Sequence, residues 1–390
     1  MQIGIDITSL IYQRGVSRYT ANLVRALLAQ PMVQLSLYGS SWRQHQQLQK
    51  RVQDLLPKRS QAHAVQLKLQ SWPPTVLTWL WRFGFNKLKT QLPNIEVFHS
   101  WDWLQPPDRD LPLVSTIHDL AILRFPKTAH PQVLKMHQRS WQILKERQAQ
   151  IIAVSKATKK DIIELLGIPS WQISVIPEAL PLEVRTTSEL LDETDYQLIK
   201  SRLKLHQPYL LFVGTREPRK NLIKLIQAWQ PLAQDYQLII AGDSGWDLTS
   251  DSGAVADLKE VNLNNPQLRF LGFVTDQQLA VLYGEAECLV YPSLYEGFGL
   301  PILEAFYHGT PVITSQVPAL VEVGGNACEY VDPQDVTAIA QGIKKILNET
   351  VSAQQKRLKR MIIRLQMFNW DQVGQETIKV YQRAIEQKEA

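Results

Sequence analysis

Glu296 and Glu304 stand eight positions apart in the stretch Tyr291-Pro-Ser-Leu-Tyr-Glu-Gly-Phe-Gly-Leu-Pro-Ile-Leu-Glu-Ala305. An apolar strand over residues 286–291 leads into a loop in which Gly297 and Gly299 flank Phe298. Pro301 then falls where a first helical residue loses nothing by lacking an N–H, and Gly309 closes the helix. The glycines let backbone N–H groups approach a ligand, and the helix start adds partial positive charge, so the loop suits a diphosphate. Glu304, one turn inside the helix, can reach hydroxyls attached to that phosphate, and Glu296 those on its other side. These constraints draw a nucleotide-sugar.

Other charged or glycine-bearing turns also follow expected strands. Val213-Gly-Thr-Arg-Glu-Pro-Arg-Lys-Asn221 brings Arg216, Arg219 and Lys220 to a strand end, where cations can neutralise charge developing on a departing diphosphate. A solvated basic helix start is the plainer reading, and the position after a strand weighs against it. Gly15, followed by Val16-Ser17-Arg18, comes after the first strand, although turns need glycine in any case. His118 and Asp119 follow another strand. A lone histidine is more often a hydrogen-bonded structural group, but at a strand end the functional reading of His118 is favoured. For His99 and Asp102 the structural reading weighs at least as much. Phe273 and Val274 lie in Gly272-Phe-Val-Thr-Asp276, where Phe273 serves a ligand or a core equally well, and Gly242-Asp-Ser-Gly-Trp246 is a further strand-end turn.

Taken together, these stretches resemble the retaining GT-B glycosyltransferases of family 4, or group 1, in the mannosyltransferase-like branch of bacterial surface polysaccharide synthesis. One Glu-x7-Glu is a weak signal, because any acidic helix start supplies it. Here it accompanies the basic loop, Phe270-Leu-Gly-Phe-Val-Thr-Asp276, Ser115-Thr-Ile-His-Asp119 and Phe368-Asn-Trp370 in family order over nearly the whole chain.

The resemblance implies transfer of a hexose, mannose by preference, from a nucleotide diphosphate sugar with retention and without metal or cofactor. GDP-mannose is the expected donor, from the Gly-Thr-x-x-Pro-Arg-Lys-Asn form of the loop and the His-Asp pair, with a UDP-sugar as runner-up. Closely paired carboxylates can form a covalent intermediate; the family instead implies front-face attack, the leaving phosphate helping to deprotonate the acceptor. Lys220 and Arg216 would hold the diphosphate, Thr215 standing where many members have arginine, with Arg219 either structural or the contacting arginine instead. Glu296 would hold the sugar and Glu304 the ribose. Gly297, Phe298, Gly299, Leu300 and Gly15 would surround the donor, Phe273 or Val274 would meet the base, and His118 would lie near the reacting centre. His99, Asp102 and Asp119 would line the acceptor side. The acceptor would be a saccharide, free or linked to polyprenyl diphosphate. A nucleotide-sugar isomerase or hydrolase of the same fold and a silent sugar-binding scaffold remain alternatives; a scaffold has no need of both glutamates, Lys220 and His118 together.

To position such loops, 390 residues at 45% hydrophobic exceed one core and suggest two domains. Strands are expected at 2–7, 33–38, 65–69, 97–99, 113–117, 151–154 and 173–176, with a helix at 17–29. After a Pro-punctuated acidic connection at 177–195, further strands are expected at 209–213, 237–241, 268–271, 288–291 and 312–314. Strands alternating with helices imply doubly wound parallel sheets that bind ligands at their carboxyl ends. The expected domains are 1–185, on the acceptor side, and 196–370, binding the nucleotide-sugar, with a cleft between them and a helix at 371–388 packing back on the first.

Neither a signal peptide nor a spanning helix is legible, and Cys288 and Cys328 read as buried hydrophobes of a reducing compartment, not as a disulfide or zinc site. A cytoplasmic location is expected. Residues 1–185 carry 23 Lys and Arg against 12 Asp and Glu, while the remainder carries 19 against 25. With the Trp-rich segment 72–89, the basic half suits peripheral contact with an anionic membrane; tryptophans packed in a core are an equal alternative. No nucleic-acid module accompanies the charge, and nothing in the sequence sets an oligomeric state.

Overall fold

Short aliphatic runs, each too short for a helix and flanked by turn residues, form the strands of two parallel sheets in the computed structural model. It describes residues 1–12, 15–56, 65–126, 130–243 and 263–389. The chain divides into a first unit of residues 1–124, 129–179 and 369–390 and a second of 125–128 and 180–368.

The first unit holds β1 (Gln2–Asp6), β2 (Gln34–Ser40), β3 (Val65–Gln70), β4 (Val97–Trp101), β5 (Leu113–Ile117), β6 (Gln150–Ala153) and β7 (Ile173–Val175), ordered β3-β2-β1-β4-β5-β6-β7. Every pairing is parallel. β4 and β5 are buried at every residue, as a sheet covered on both faces requires. The helix Gly15–Leu28 packs against the helix Trp370–Glu389, whose Val373, Gly374, Thr377, Val380, Tyr381 and Ala384 form one buried stripe. A Cβ on Gly374 would stand 3.1 Å from the Ala26 carbonyl oxygen, so the two backbones approach closely.

The second unit holds β8 (Tyr209–Val213), β9 (Gln237–Ala241), β10 (Leu268–Gly272), β11 (Cys288–Tyr291), β12 (Val312–Ser315) and β13 (Glu329–Val331), again all parallel, ordered β10-β9-β8-β11-β12-β13. In each sheet the order reverses once, between β1 and β4 and between β8 and β11. These reversals are the topological switch points at which open α/β sheets bind ligands.

Departures from the sequence reading have local causes. Three-residue β13 carries too short an apolar run to be read alone. The expected connection at 177–195 contains a helix, Leu182–Leu190, whose only buried residue is Val184. The Trp-rich segment divides between core and surface: the helix Pro74–Arg82 buries Leu77 and Trp81 and leaves Trp79 exposed, with Phe83 and Phe85 exposed after it. Cys288 and Cys328 are free thiols whose ionisation burial disfavours. Among the described residues, no helix is long and apolar enough to cross a membrane.

Candidate active site

Lys220 and Glu296 meet at the switch point of the second sheet, from the loops that leave β8 and β11. The β8 loop ends in a tight turn, Pro218–Lys220, that runs into Asn221 at φ 59°. Asn221 Nδ2 donates to the carbonyls of Pro292 at 3.0 Å and of Pro333, after β13, at 2.6 Å, and Leu294 N donates to Arg219 O at 2.7 Å, so one side chain and one backbone bond tie the two loops. Lys220 Nζ then donates to Glu296 Oε1 at 2.5 Å and to the Tyr291 hydroxyl. Tyr291 itself donates to Glu296 Oε1 at 2.6 Å, and Arg219 Nη1 donates to Glu296 Oε2 at 2.8 Å.

One buried carboxylate therefore faces two cations and a phenol. Burial alone would raise the Glu296 carboxyl, but Lys220 and Arg219 outweigh it and hold it near 2. Burial pushes the Lys220 ammonium down against the pull of Glu296, and burial with the Glu296 charge pushes Tyr291 well above its ordinary value. Arg219 pairs with Glu296; the Arg216 guanidinium instead lies over the Phe270 ring at 5.3 Å. Thr215 is half-buried beside it.

Glu304 sits in the first turns of the helix Leu300–Tyr307, with Pro301 second rather than first in that helix. Gly299 caps it at φ 126°, where a Cβ would also come within 2.7 Å of Leu320 Cδ2, so only glycine fits. Glu304 is buried, and its Oε2 accepts from the Tyr283 hydroxyl at 2.9 Å; the Tyr283 ring stacks on His308 with centroids 5.6 Å apart. Phe298, expected beside the donor, is buried edge-on against Phe368 at 5.7 Å.

The neighbouring strand ends join the same edge. Gly242 N donates to Gly272 O at 2.8 Å, and Arg216 N to Asp243 O at 3.2 Å. A Cβ on Gly242 would lie 2.2 Å from Gly214 O, so these loops touch through backbone. Phe273 is 61% exposed, which excludes the core alternative, while Val274 is half-buried. Residues 244–246 of the further turn lie outside the described residues.

In the first unit His118 leaves β5 between Tyr19, edge-on at 4.7 Å, and Trp101, stacked at 6.0 Å. Its Nδ1 is 2.9 Å from Glu178 Oε1, and its Nε2 has no hydrogen-bond partner among the described residues. Burial opposes the charged imidazolium, but Glu178, then Asp102 and Asp119, prevail and raise its pKa. Gly15 opens the helix that carries Tyr19, with no atom of the described residues within 4 Å of where its Cβ would lie.

The acceptor-side candidates each have partners within the first unit. His99 has no exposure; Nδ1 meets the Tyr381 hydroxyl at 2.7 Å, Nε2 meets Thr116 Oγ1 at 2.9 Å, and burial lowers its pKa to about 3. Asp102 accepts from Trp141 Nε1 and faces His137 Nδ1, both at 3.3 Å, and Asp119 Oδ1 accepts from Ala121 N at 2.8 Å. Among the described residues, no three His, Cys, Asp or Glu side chains are grouped to hold a metal. Sequence reasoning passed over Glu178, Tyr283 and Tyr291. Tyr291 read as the end of a strand and Glu178 as part of a connection, 60 residues from the histidine it holds.

Two family models match the chain: glycosyltransferase family 4 over residues 13–184 and glycosyl transferases group 1 over 195–364. The O-antigen chain mannosyltransferase B of Escherichia coli is 34% identical over 275 residues, 69% of each chain. The protein is a group 1 glycosyltransferase. A second relative of this glycosyltransferase, the O-antigen chain mannosyltransferase RfbU of Salmonella typhimurium, is 30% identical over 59% of this chain and 60% of its own. Among solved structures, the sucrose-phosphate synthase of Thermosynechococcus elongatus superposes with a TM-score of 0.69 at 22% identity over 98% of both chains. The glycosyltransferase thus shares the GT-B fold, two Rossmann-like units, with it.

Proposed function

We propose that the protein transfers mannose from GDP-mannose, with retention, to a saccharide carried on polyprenyl diphosphate at the cytoplasmic face of a membrane. The observation that carries the reading is the Lys220–Glu296–Arg219 cluster at the switch point of the second sheet. As it stands, Glu296 compensates two cations. A bound diphosphate competes for those cations and frees carboxylate oxygens to accept sugar hydroxyls, while Glu304, oriented by Tyr283, is placed for the ribose. The bond from the anomeric carbon to the phosphate oxygen breaks, the acceptor oxygen bonds on the same face, and its proton passes to the departing phosphate. Lys220 and the N–H groups of the Gly299-capped helix stabilise the charge that develops. His118, drawn toward the charged form by Glu178, is the group of the first unit suited to bind a sugar hydroxyl. The names of both O-antigen relatives support mannose; the more distant solved structures bear on fold alone.

Purified protein is incubated with GDP-mannose or UDP-glucose and a polyprenyl-diphosphate saccharide, separating free sugar, epimerised sugar and lipid-linked product. An α-mannosyl product is expected. Turnover of the uridine sugar with none of GDP-mannose overturns the donor, an inverted linkage overturns retention, and free or epimerised sugar alone makes the protein a hydrolase or isomerase.

A further inference from the structure

The first unit carries a concave site that the transfer chemistry does not use. A cavity of about 1320 Å³ runs along one face of the helix Pro131–Glu146 and reaches the residues that enter β5 and β6. Those are the amino ends of the strands. His118, beyond the carboxyl end of β5, is a strand length or about 16 Å away.

Among the described residues, six cationic side chains line this cavity, Arg82, Arg109, Lys135, Arg139, Arg147 and Lys388, against the single carboxylate of Glu146. Nearby acids are engaged elsewhere: Asp108 accepts the backbone N–H groups of Leu88 and Lys89, and Asp110 pairs with Lys89 at 2.8 Å. Lys135 and Arg139 repel one another at i,i+4 on the cavity face of their helix, a placement that costs stability unless an anion is shared between them. Arg147 is fixed by donating to Pro106 O and Leu111 O, both at 2.8 Å, and burial lowers it to about 10, so it holds the wall rather than the ligand. Like charges gathered in a concave, low-dielectric wall focus potential and concentrate anions.

The rim specifies what kind of anion. Trp81, Arg82 and Gly84 line the cavity, and the residues interleaved with them form an exposed aromatic cluster. Trp79, Phe83 and Phe85 are 54%, 57% and 57% exposed, with Trp79 5.1 Å from Phe83 and 6.4 Å from Phe85 between ring centroids. An aromatic cluster on a soluble surface beside a cationic hollow matches a phosphate group joined to hydrocarbon.

We propose that this cavity binds the phosphate headgroup of an anionic phospholipid, with Trp79, Phe83 and Phe85 seated at the level of the headgroups. The inference deepens the membrane part of the reading above and needs neither donor nor acceptor, so its failure is separable from failure of the transfer reaction.

The test is co-sedimentation of the full chain with vesicles of phosphatidylglycerol and phosphatidylcholine or of phosphatidylcholine alone, beside calorimetric titration with inorganic pyrophosphate. The wild type is expected to sediment with the anionic vesicles only, and less so at high salt. Arg109→Glu with Arg139→Glu should weaken vesicle binding more than about tenfold. Arg109→Lys with Arg139→Lys should retain it, and Lys356→Glu with Lys359→Glu, the same charge change on the second unit, should leave it within about twofold. An equal loss in both charge-reversed proteins, or equal binding to neutral vesicles, overturns the cavity as the site. Pyrophosphate binding lost in the Arg109/Arg139 reversal, without vesicle binding by the wild type, makes the ligand a soluble phosphate and overturns the lipid.

Discussion

At Glu296 a single carboxylate is shared by Lys220, Arg219 and Tyr291, and that sharing decides what each substitution does. Lys220→Ala leaves the carboxylate compensated by Arg219, so its cost falls mainly on turnover, by roughly 3–4 kcal/mol or about 10²–10³-fold in kcat at saturating donor. Glu296→Gln leaves buried Lys220 beside a neutral amide and Arg219 with Glu217 alone, at 2.8 Å, and should cost about 3 kcal/mol or more of folding stability besides activity. Urea denaturation of both variants checks the order, and equal stability losses would contradict the shared arrangement. His118 yields a pH test. Its pKa is raised above the ordinary 6.5, so its pairing with Glu178 contributes stability that is full below 6.5 and lost as pH rises through the folded value. The stability gap between wild type and Glu178→Gln should therefore be widest in mildly acid buffer and close toward alkaline pH. A gap independent of pH would show that the charge of His118 plays no part.

At the scale of elements, the helix Leu300–Tyr307 depends on its cap. Gly299→Ala forces a side chain into a positive-φ position and onto Leu320, which should cost roughly 1–3 kcal/mol and displace the backbone N–H groups of the first turn. Nucleotide affinity measured by calorimetry should fall at least about tenfold while far-UV circular dichroism stays native; undiminished affinity would remove the helix start from the site. This helix was legible in advance because glycine, proline and the acidic pair mark its start in sequence. So were most strands, since β1, β5, β8, β9 and β11 are aliphatic runs ending in glycine, histidine, aspartate or proline. What escaped has a common cause. β13 is three residues long, Glu178 reaches His118 across 60 positions, and Arg219 reaches Glu296 across 77, so each depends on tertiary placement that local pattern does not encode.

For the molecule as a whole, both units repeat one topology, a parallel sheet with a single reversal of strand order, and in the second unit the cations gather at that reversal. The proposed reaction draws its electrostatic stabilisation from Lys220, Arg219 and a helix start. Initial rates with GDP-mannose should accordingly be unchanged by EDTA and unimproved by magnesium or manganese. Activity abolished by the chelator and restored by either cation would replace this scheme with a metal-dependent one.

The helix Trp370–Glu389 belongs to the first unit yet follows the second in the chain. During synthesis, the helix Gly15–Leu28 thus emerges from the ribosome some 340 residues before the surface that covers it. Its apolar stripe waits uncovered while all of the second unit is made, so the second unit can finish folding first and the first is completed last. Chaperone occupancy on the nascent chain should follow that order, persisting on the early segment until the helix that seals it has left the exit tunnel.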